Sequence, residues 1–264
     1  GLGMDLTPPG GAENFAPAIV ISPGVSIRPQ VSSLQATVDP ASGTGPIRLA
    51  TLLKPEAYRV AASLDFQAPG INNFADGLLE VRGSILMGVG SLIETDALGK
   101  ITLRGQTVEV LGTLNAPAGA VVVSGALQFP ENTIPATAFA TVHLGAASRL
   151  STAGKTVLLE NAYGKREGHV YSGGSILVEG NLVADAGAVL DVSGTTSVLD
   201  LLPQQAGTAS VFTAGLTMAA LFPGSGLTQP VQAAQTVATQ IDSAGGSITL
   251  QGGDFLFSNA TLFG

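Results

Sequence analysis

Apolar and polar residues alternate along this chain in short runs, and glycine-containing turns separate the runs. The clearest copies of this pattern span residues 99–125 and residues 174–194. An alternation with a period of two residues indicates a β-strand that buries one of its faces. Since only one or two turn residues separate successive runs, we expect the chain to coil. Each strand would then lie parallel to the equivalent strand of the next coil.

The alternation is strongest between residues 78 and 125, where it predicts which side chains point inward. The expected interior residues are Leu79, Val81, Ile85, Met87, Val89, Ile101, Leu103, Val108, Val110, Leu114, Val121 and Val123. The interval from Ile101 to Val121 predicts coils of roughly 20 residues. The tripeptide Gly-Ser-Ile occurs at 83–85, 174–176 and 246–248, and it predicts a glycine at the corner that precedes a strand.

The regularity of the pattern divides the chain into four regions. Residues 1–77 form an irregular lead-in with the first coils, and residues 78–194 form regular coils. Residues 195–240 are predicted to leave the coiled body, and residues 241–264 return to it. Both ends of the chain fall within the pattern, so we expect an internal segment of a longer polypeptide.

Two parts of the lead-in have predicted local structure. Residues 18–21 and 25–27 are apolar runs that flank the turn sequence Ser-Pro-Gly at 22–24, so we expect two short strands. In residues 55–62, Pro55 suits the first turn of a helix, but the alternation of residues 58, 60 and 62 favours a strand.

Composition excludes several classes of protein. Charged residues make up 11% of the chain and hydrophobic residues 45%, whereas disordered chains combine high charge with low hydrophobicity. Polar residues or glycines interrupt every apolar run before it reaches the length of about 18 residues that suggests a membrane-spanning helix. The net charge is −8 with only 11 Lys and Arg, while nucleic-acid binding requires a basic surface. We therefore expect no membrane span and no nucleic-acid partner.

Candidate residues for catalysis are sparse. The chain has no cysteine and two histidines, His143 and His169, which are expected to be surface residues rather than zinc ligands or members of a catalytic triad. Glu94 and Asp96 would share one strand face, with only Lys100 and Arg104 as nearby basic residues, which is little for a polysaccharide-cleaving site. The sequence thus predicts no enzyme, no metal site and no cofactor.

A dense polar and aromatic patch interrupts the pattern at residues 163–171. Functional loops on rigid scaffolds often have this composition. We therefore predict a contact loop, and its candidate residues are Tyr163, Lys165, Arg166, His169 and Tyr171.

Three phrases carry a resemblance to a known family. The sequences at 22–27, 187–194 and 242–252 resemble those of filamentous-haemagglutinin-family bacterial exoproteins. The resemblance implies an all-β fold of the right-handed parallel β-helix (β-solenoid) type with irregular excursions. Right-handedness also agrees with the general bias of parallel crossover connections. The family further implies two-partner secretion, in which an outer-membrane partner exports the chain.

The expected function is therefore structural or adhesive. We expect a segment of a large fibre protein that is secreted or exposed on the bacterial cell surface and that acts in adhesion, biofilm formation or a surface filament. One alternative is an extracellular β-helix that binds or cleaves glycans, and another is a self-assembling filament or sheath subunit. The corresponding partners are a surface glycan or protein of a host or bacterium, or further copies of the chain.

Overall fold

A computed structural model describes residues 19–37, 48–68, 83–125, 141–207 and 236–264. In these residues the fold is nearly all-β, with 21 strands and one 3₁₀ helix, Glu56–Tyr58. The predicted all-β class and the predicted parallel pairing of equivalent strands are confirmed. No helix in the described ranges has the length and apolar character needed to cross a membrane.

Most strands belong to three parallel ladders, which we name A, B and C. Ladder A contains β5 (Ser63–Ala68), β8 (Lys100–Gly105), β11 (Ala120–Ser124) and the first halves of β16 (Ser175–Ala184) and β20 (Ser247–Ser258). Ladder B contains β1 (Ile19–Ile21), β6 (Ser84–Met87), β9 (Thr107–Val110), β12 (Val142–Leu144) and the second halves of β16 and β20. Ladder C contains β2 (Ser26–Ile27), β7 (Leu92–Glu94), β10 (Thr113–Asn115), β13 (Arg149–Ser151), β17 (Val189–Asp191) and β21 (Thr261–Phe263).

Along the chain, strands of ladders A, B and C follow one another repeatedly in that order. We call one such series of strands a circuit. The long strands β16 and β20 each serve ladders A and B, which joins these two ladders into one nine-stranded sheet. Ile101 pairs with Val121, as the predicted interval of about 20 residues requires. Val121 pairs next with Ile176, and Ile176 pairs with Ile248. The later circuits therefore contain many more residues than the first ones, because other segments are inserted in them.

Side chains at equivalent register positions stack to form the interior. In ladder C, the residues Ile93, Leu114, Leu150 and Leu190 pair in series and are fully buried. Burying one such side chain contributes about 1.5–3 kcal/mol. Nine of the predicted interior residues are buried: Ile85, Met87, Ile101, Leu103, Val108, Val110, Leu114, Val121 and Val123.

The prediction is wrong for Val89, which is 56% exposed. Val89 lies in the turn between β6 and β7, beside Gly90 with its φ of +70°, so the alternation of the preceding strand does not extend to it. Leu79 and Val81 lie outside the described residues.

Three antiparallel hairpins leave the ladders at the same corner. They are β3 (Ser32–Thr37) with β4 (Arg48–Leu53), β14 (Lys155–Leu159) with β15 (Glu167–Tyr171), and β18 (Thr196–Leu201) with β19 (Val237–Asp242). Each hairpin follows a strand of ladder C and precedes a strand of ladder A. In the described part of the chain, all three hairpins therefore extend from the corner between ladders C and A.

The predicted strand within residues 55–62 is wrong. The segment contains the 3₁₀ helix that follows β4, with Pro55 as its N-cap residue. Tyr58 is 54% exposed and Val60 80% exposed. The alternation in this segment therefore does not mark a buried strand face. The two short strands expected around the Ser-Pro-Gly turn are present as β1 and β2.

A column of glycines lies at the same corner, immediately before ladder A. A Cβ atom on Gly119 would lie 1.9 Å from the carbonyl oxygen of Gly99, and one on Gly174 would lie 1.9 Å from that of Gly119. Gly246 has the same relation to Gly174, at 1.8 Å. A side chain at these positions would therefore force neighbouring circuits apart. Two of the Gly-Ser-Ile tripeptides belong to this column, whereas the tripeptide at 83–85 leads into β6 of ladder B.

The stacking of circuits predicts which engineered cysteines form a disulfide. Ala120 pairs with Ser175 on the neighbouring strand, so their Cα atoms lie about 4.8 Å apart, within the range of disulfides. The double variant Ala120→Cys/Ser175→Cys should therefore form a disulfide. The native chain has no cysteine, so a bond between them is unambiguous. Mild oxidation and non-reducing peptide mapping should detect it.

The matched control is Lys100→Cys with Ser175→Cys. Strand β11 lies between these two residues, which places their Cα atoms about 9.6 Å apart, too far for a disulfide. Equal cross-linking of the two variants would contradict the register of ladder A.

The glycine column predicts that Gly174→Ala is strongly destabilising. The added methyl group would contact the backbone of the circuit beneath, and overpacking of this kind costs about 3 kcal/mol. Ser175→Ala, at the next and exposed position, is the control and should change stability little. Urea denaturation of both variants measures the difference, and equal midpoints would refute the close approach.

Candidate functional site

The predicted contact loop is the β14–β15 hairpin and its connecting turn. Asn161 accepts a hydrogen bond from the amide of Tyr163 through its side chain (2.8 Å), and its carbonyl accepts one from the amide of Gly164 (3.1 Å). Gly164 has a φ of +70°, which glycine adopts readily. This turn leaves Tyr163 at the tip of the hairpin, 87% exposed.

An aromatic pair lies on the second strand of the hairpin. The rings of His169 and Tyr171 stack with their centroids 5.7 Å apart. Tyr171 is directly opposite Lys155 across the hairpin, so the two side chains emerge on the same face. His169 is exposed, as predicted.

Arg166 binds another hairpin instead of being free for a ligand. Its backbone amide donates to Oδ2 of Asp200 (2.7 Å), and its Nη2 donates to Oδ1 of the same carboxylate (2.9 Å). The amide of Asp200 in turn donates to the carbonyl of Arg166 (2.9 Å). The hydrogen bond from the Arg166 side chain lowers the pKa of Asp200. This pair fastens β15 to β18, while Lys165 lies half-buried beside it.

A polar cleft of about 130 Å³ lies next to this hairpin. It is lined by Arg28, Pro29, Gln30, Glu56, Arg59, Glu94, Thr95, Asp96 and Lys155. The lining comes from the ends of β2 and β7, from the 3₁₀ helix and from the start of β14. The cleft is therefore assembled where the segments inserted at the C-to-A corner meet the outer face of ladder C.

Three ion pairs connect the elements around the cleft. Arg28 pairs with Glu94, Lys155 pairs with Glu56, and Arg59 lies 3.3 Å from Asp96. Each pair joins residues that are distant in sequence, so together they hold the 3₁₀ helix and the hairpin against ladder C.

The sequence analysis recognised only part of this cleft. Glu94 and Asp96 do line it together, but their basic partners are Arg28 and Arg59. Neither Lys100 nor Arg104 lines the cleft. Arg28, Arg59 and Glu56 carried no sequence signal, because isolated charged residues in turns are common on any surface.

His143 occupies a second polar cluster, on ladder B. Its Nδ1 lies 3.1 Å from Oε1 of Glu109, and its Nε2 lies 3.2 Å from Oδ2 of Asp185. The expectation of a surface histidine is wrong, since only 7% of His143 is exposed. The pKa of His143 is raised, chiefly by the hydrogen bond with Glu109, against the opposing effect of burial.

The three residues of this cluster belong to three successive circuits. His143 pairs with Glu109 in the register of ladder B, and Asp185 follows the end of β16 in the next circuit. Both ring nitrogens are donors only in the charged imidazolium, so the charged ring connects all three circuits. Within the described ranges, no group of three or more His, Asp or Glu side chains is arranged to hold a metal ion.

The raised pKa of His143 predicts how stability depends on pH. A group whose folded-state pKa is raised stabilises the fold fully below its unfolded-state pKa of about 6.5, and this contribution is lost as the pH rises through the folded-state pKa. We therefore expect the free energy of unfolding to fall as the pH rises above about 6.5 through the folded-state pKa, and the partial exposure of Asp185 limits the size of the loss.

His143→Gln removes this titration, so the free energy of unfolding of the variant should depend less on pH over the same range. Urea denaturation at several pH values measures it. Ser175→Ala, at an exposed position and without loss of a titratable group, provides the control and should retain the wild-type pH dependence. A His143→Gln variant with the full wild-type dependence would disprove the role of the cluster.

Comparisons with protein-family models, with curated proteins and with solved structures found no match to this chain.

Proposed function

We propose that the chain is a segment of a right-handed parallel β-helix that serves as a structural or adhesive part of a large bacterial fibre protein. The fibre is secreted or held at the cell surface. The observation that carries the proposal is the repeated passage of the chain through three parallel ladders in constant order, with a shift of register between Gly180 and Leu182 where β16 pairs with β20.

The physical properties of this arrangement suit a load-bearing element. Every strand that lies between two others in a ladder is hydrogen-bonded on both sides. The buried side chains of each circuit pack on the buried side chains of the neighbouring circuits. In such architectures stability grows with each added repeat, so a long array is stiff along its axis. A segment of this kind supports exposed hairpins at defined positions without requiring a catalytic site.

The proposed route to the cell surface rests on the resemblance of three sequence phrases to filamentous-haemagglutinin-family exoproteins. Export would then use an outer-membrane secretion partner. The absence of cysteine from the chain is compatible with passage through an oxidising periplasm in an unfolded state. The hairpins at the C-to-A corner are the surface available for contact with a host or bacterial partner.

Immunogold electron microscopy tests the proposed location and role. Antibodies raised against the purified chain should label fibres on intact, non-permeabilised cells of the source organism or in the culture medium. Cells in which the gene is deleted serve as the control and should lose the label. Label that appears only after the cells are permeabilised would refute a surface or secreted fibre.

A further inference from the structure

The first hairpin, β3–β4, exposes large apolar side chains on both of its faces. Leu34 is 71% exposed, Leu53 50% and Leu52 43%. Leu34 and Leu53 share one face as diagonal neighbours, whereas Leu52 lies on the other face. In the described strands of the other two hairpins, only Leu158 and Val198 are exposed large apolar residues. Exposed apolar side chains grouped as they are on the first hairpin mark a site of protein–protein contact.

The backbone edges of the first hairpin are also open to a partner. β3 and β4 form a two-stranded sheet of their own, to which no other described strand is paired. The second and third hairpins, in contrast, are joined by a backbone hydrogen bond from the amide of Asp200 to the carbonyl of Arg166 (2.9 Å). A two-stranded sheet is only marginally stable in water, and a third strand stabilises it. The first hairpin therefore fits a partner that adds a β-strand to its edge.

The distribution of charge selects β3 as the edge that pairs. β3 contains no charged residue, whereas β4 begins with Arg48 and is followed by Lys54. Lysine and proline commonly protect the edge strands of natural proteins from association, and β3 contains neither. β3 is therefore the edge at which a further strand meets no charged side chain of the hairpin strand itself.

A second copy of the chain meets these requirements. It supplies a strand of the same kind, uncharged and with an exposed leucine near its centre, so antiparallel pairing brings no like charges together. A two-fold axis, the commonest symmetry of soluble oligomers, places the same strand of both copies side by side in antiparallel directions. Because the hairpin leaves the ladders at a corner, two stacks of circuits can approach side by side while their ladders stay intact.

We propose that two copies of this chain associate through their β3 strands, so that the two hairpins form one four-stranded antiparallel sheet. Leu34 of each copy then lies near the two-fold axis, where the two leucine side chains cover each other and the neighbouring Leu53. This contact goes beyond the proposed fibre role and does not require it. Within a fibre, the contact would join two stacks of circuits laterally.

Sedimentation equilibrium of the purified chain, at concentrations from about 1 µM to about 200 µM, tests the association. We expect the mass to rise with concentration from that of one chain to that of two chains and no further. Leu34→Lys should raise the dissociation constant by at least about tenfold, because it places two like charges near the two-fold axis. The matched control is Val89→Lys, which changes an exposed valine in the turn between β6 and β7 and should leave the dissociation constant unchanged. Thermal unfolding followed by circular dichroism verifies that each variant is folded.

A cysteine at the same position provides a second measurement that does not depend on disrupting the hairpin. The native chain has no cysteine, so mild oxidation of Leu34→Cys should give a covalent dimer on non-reducing electrophoresis. Leu158→Cys is the control, because Leu158 is an exposed leucine on β14 of the second hairpin. This control variant should remain largely monomeric.

Four outcomes would overturn the proposal. They are a monomer at every concentration, growth beyond the dimer, equal dissociation constants for Leu34→Lys and Val89→Lys, and equal cross-linking of Leu34→Cys and Leu158→Cys. None of these outcomes bears on whether the chain is part of a surface fibre, which the immunogold labelling tests separately.

Discussion

The hydrogen bond that joins neighbouring circuits at the column of glycines before ladder A constrains the rest of the structure. The amides of Ala120, Ser175 and Ser247 each donate to the carbonyl of a glycine one circuit away, in every case at 2.9 Å. This bond keeps each circuit of ladder A in register with the next. Once the register is kept, interior side chains stack on residues of the same kind, and no room remains for a Cβ atom at the corner.

The same constraint decides where the chain departs from the ladders. An insertion within a strand shifts the register, as it does between Gly180 and Leu182 where β16 pairs with β20, whereas an insertion at a corner leaves the neighbouring strands in place. The three hairpins accordingly leave at the corner between ladders C and A. The β14–β15 and β18–β19 hairpins contact each other and are joined by the ion pair Arg166–Asp200, and Lys155 pairs with Glu56 of the 3₁₀ helix that follows the first hairpin. The polar cleft is a consequence of this crowding.

Local pattern was sufficient to predict the interior but insufficient wherever the chain turns. The alternation identified Ile101, Leu103, Val121 and Val123 as interior residues, since a period of two residues assigns alternate side chains to one face. It was wrong for Val89 and for residues 55–62, because turn residues produce the same short alternation without a strand. The burial of His143 was missed as well, since its two carboxylate partners come from other circuits.

The sequence by itself determined the all-β class, the parallel stacking and the faces of the strands, because alternation and corner glycines act over a few neighbouring residues. Only the tertiary structure decided the polar sites. Arg28 meets Glu94 across 66 residues, and Lys155 meets Glu56 across 99. Such pairs depend on how many residues each insertion adds to a circuit. The alternating pattern does not predict which distant residues meet as a result.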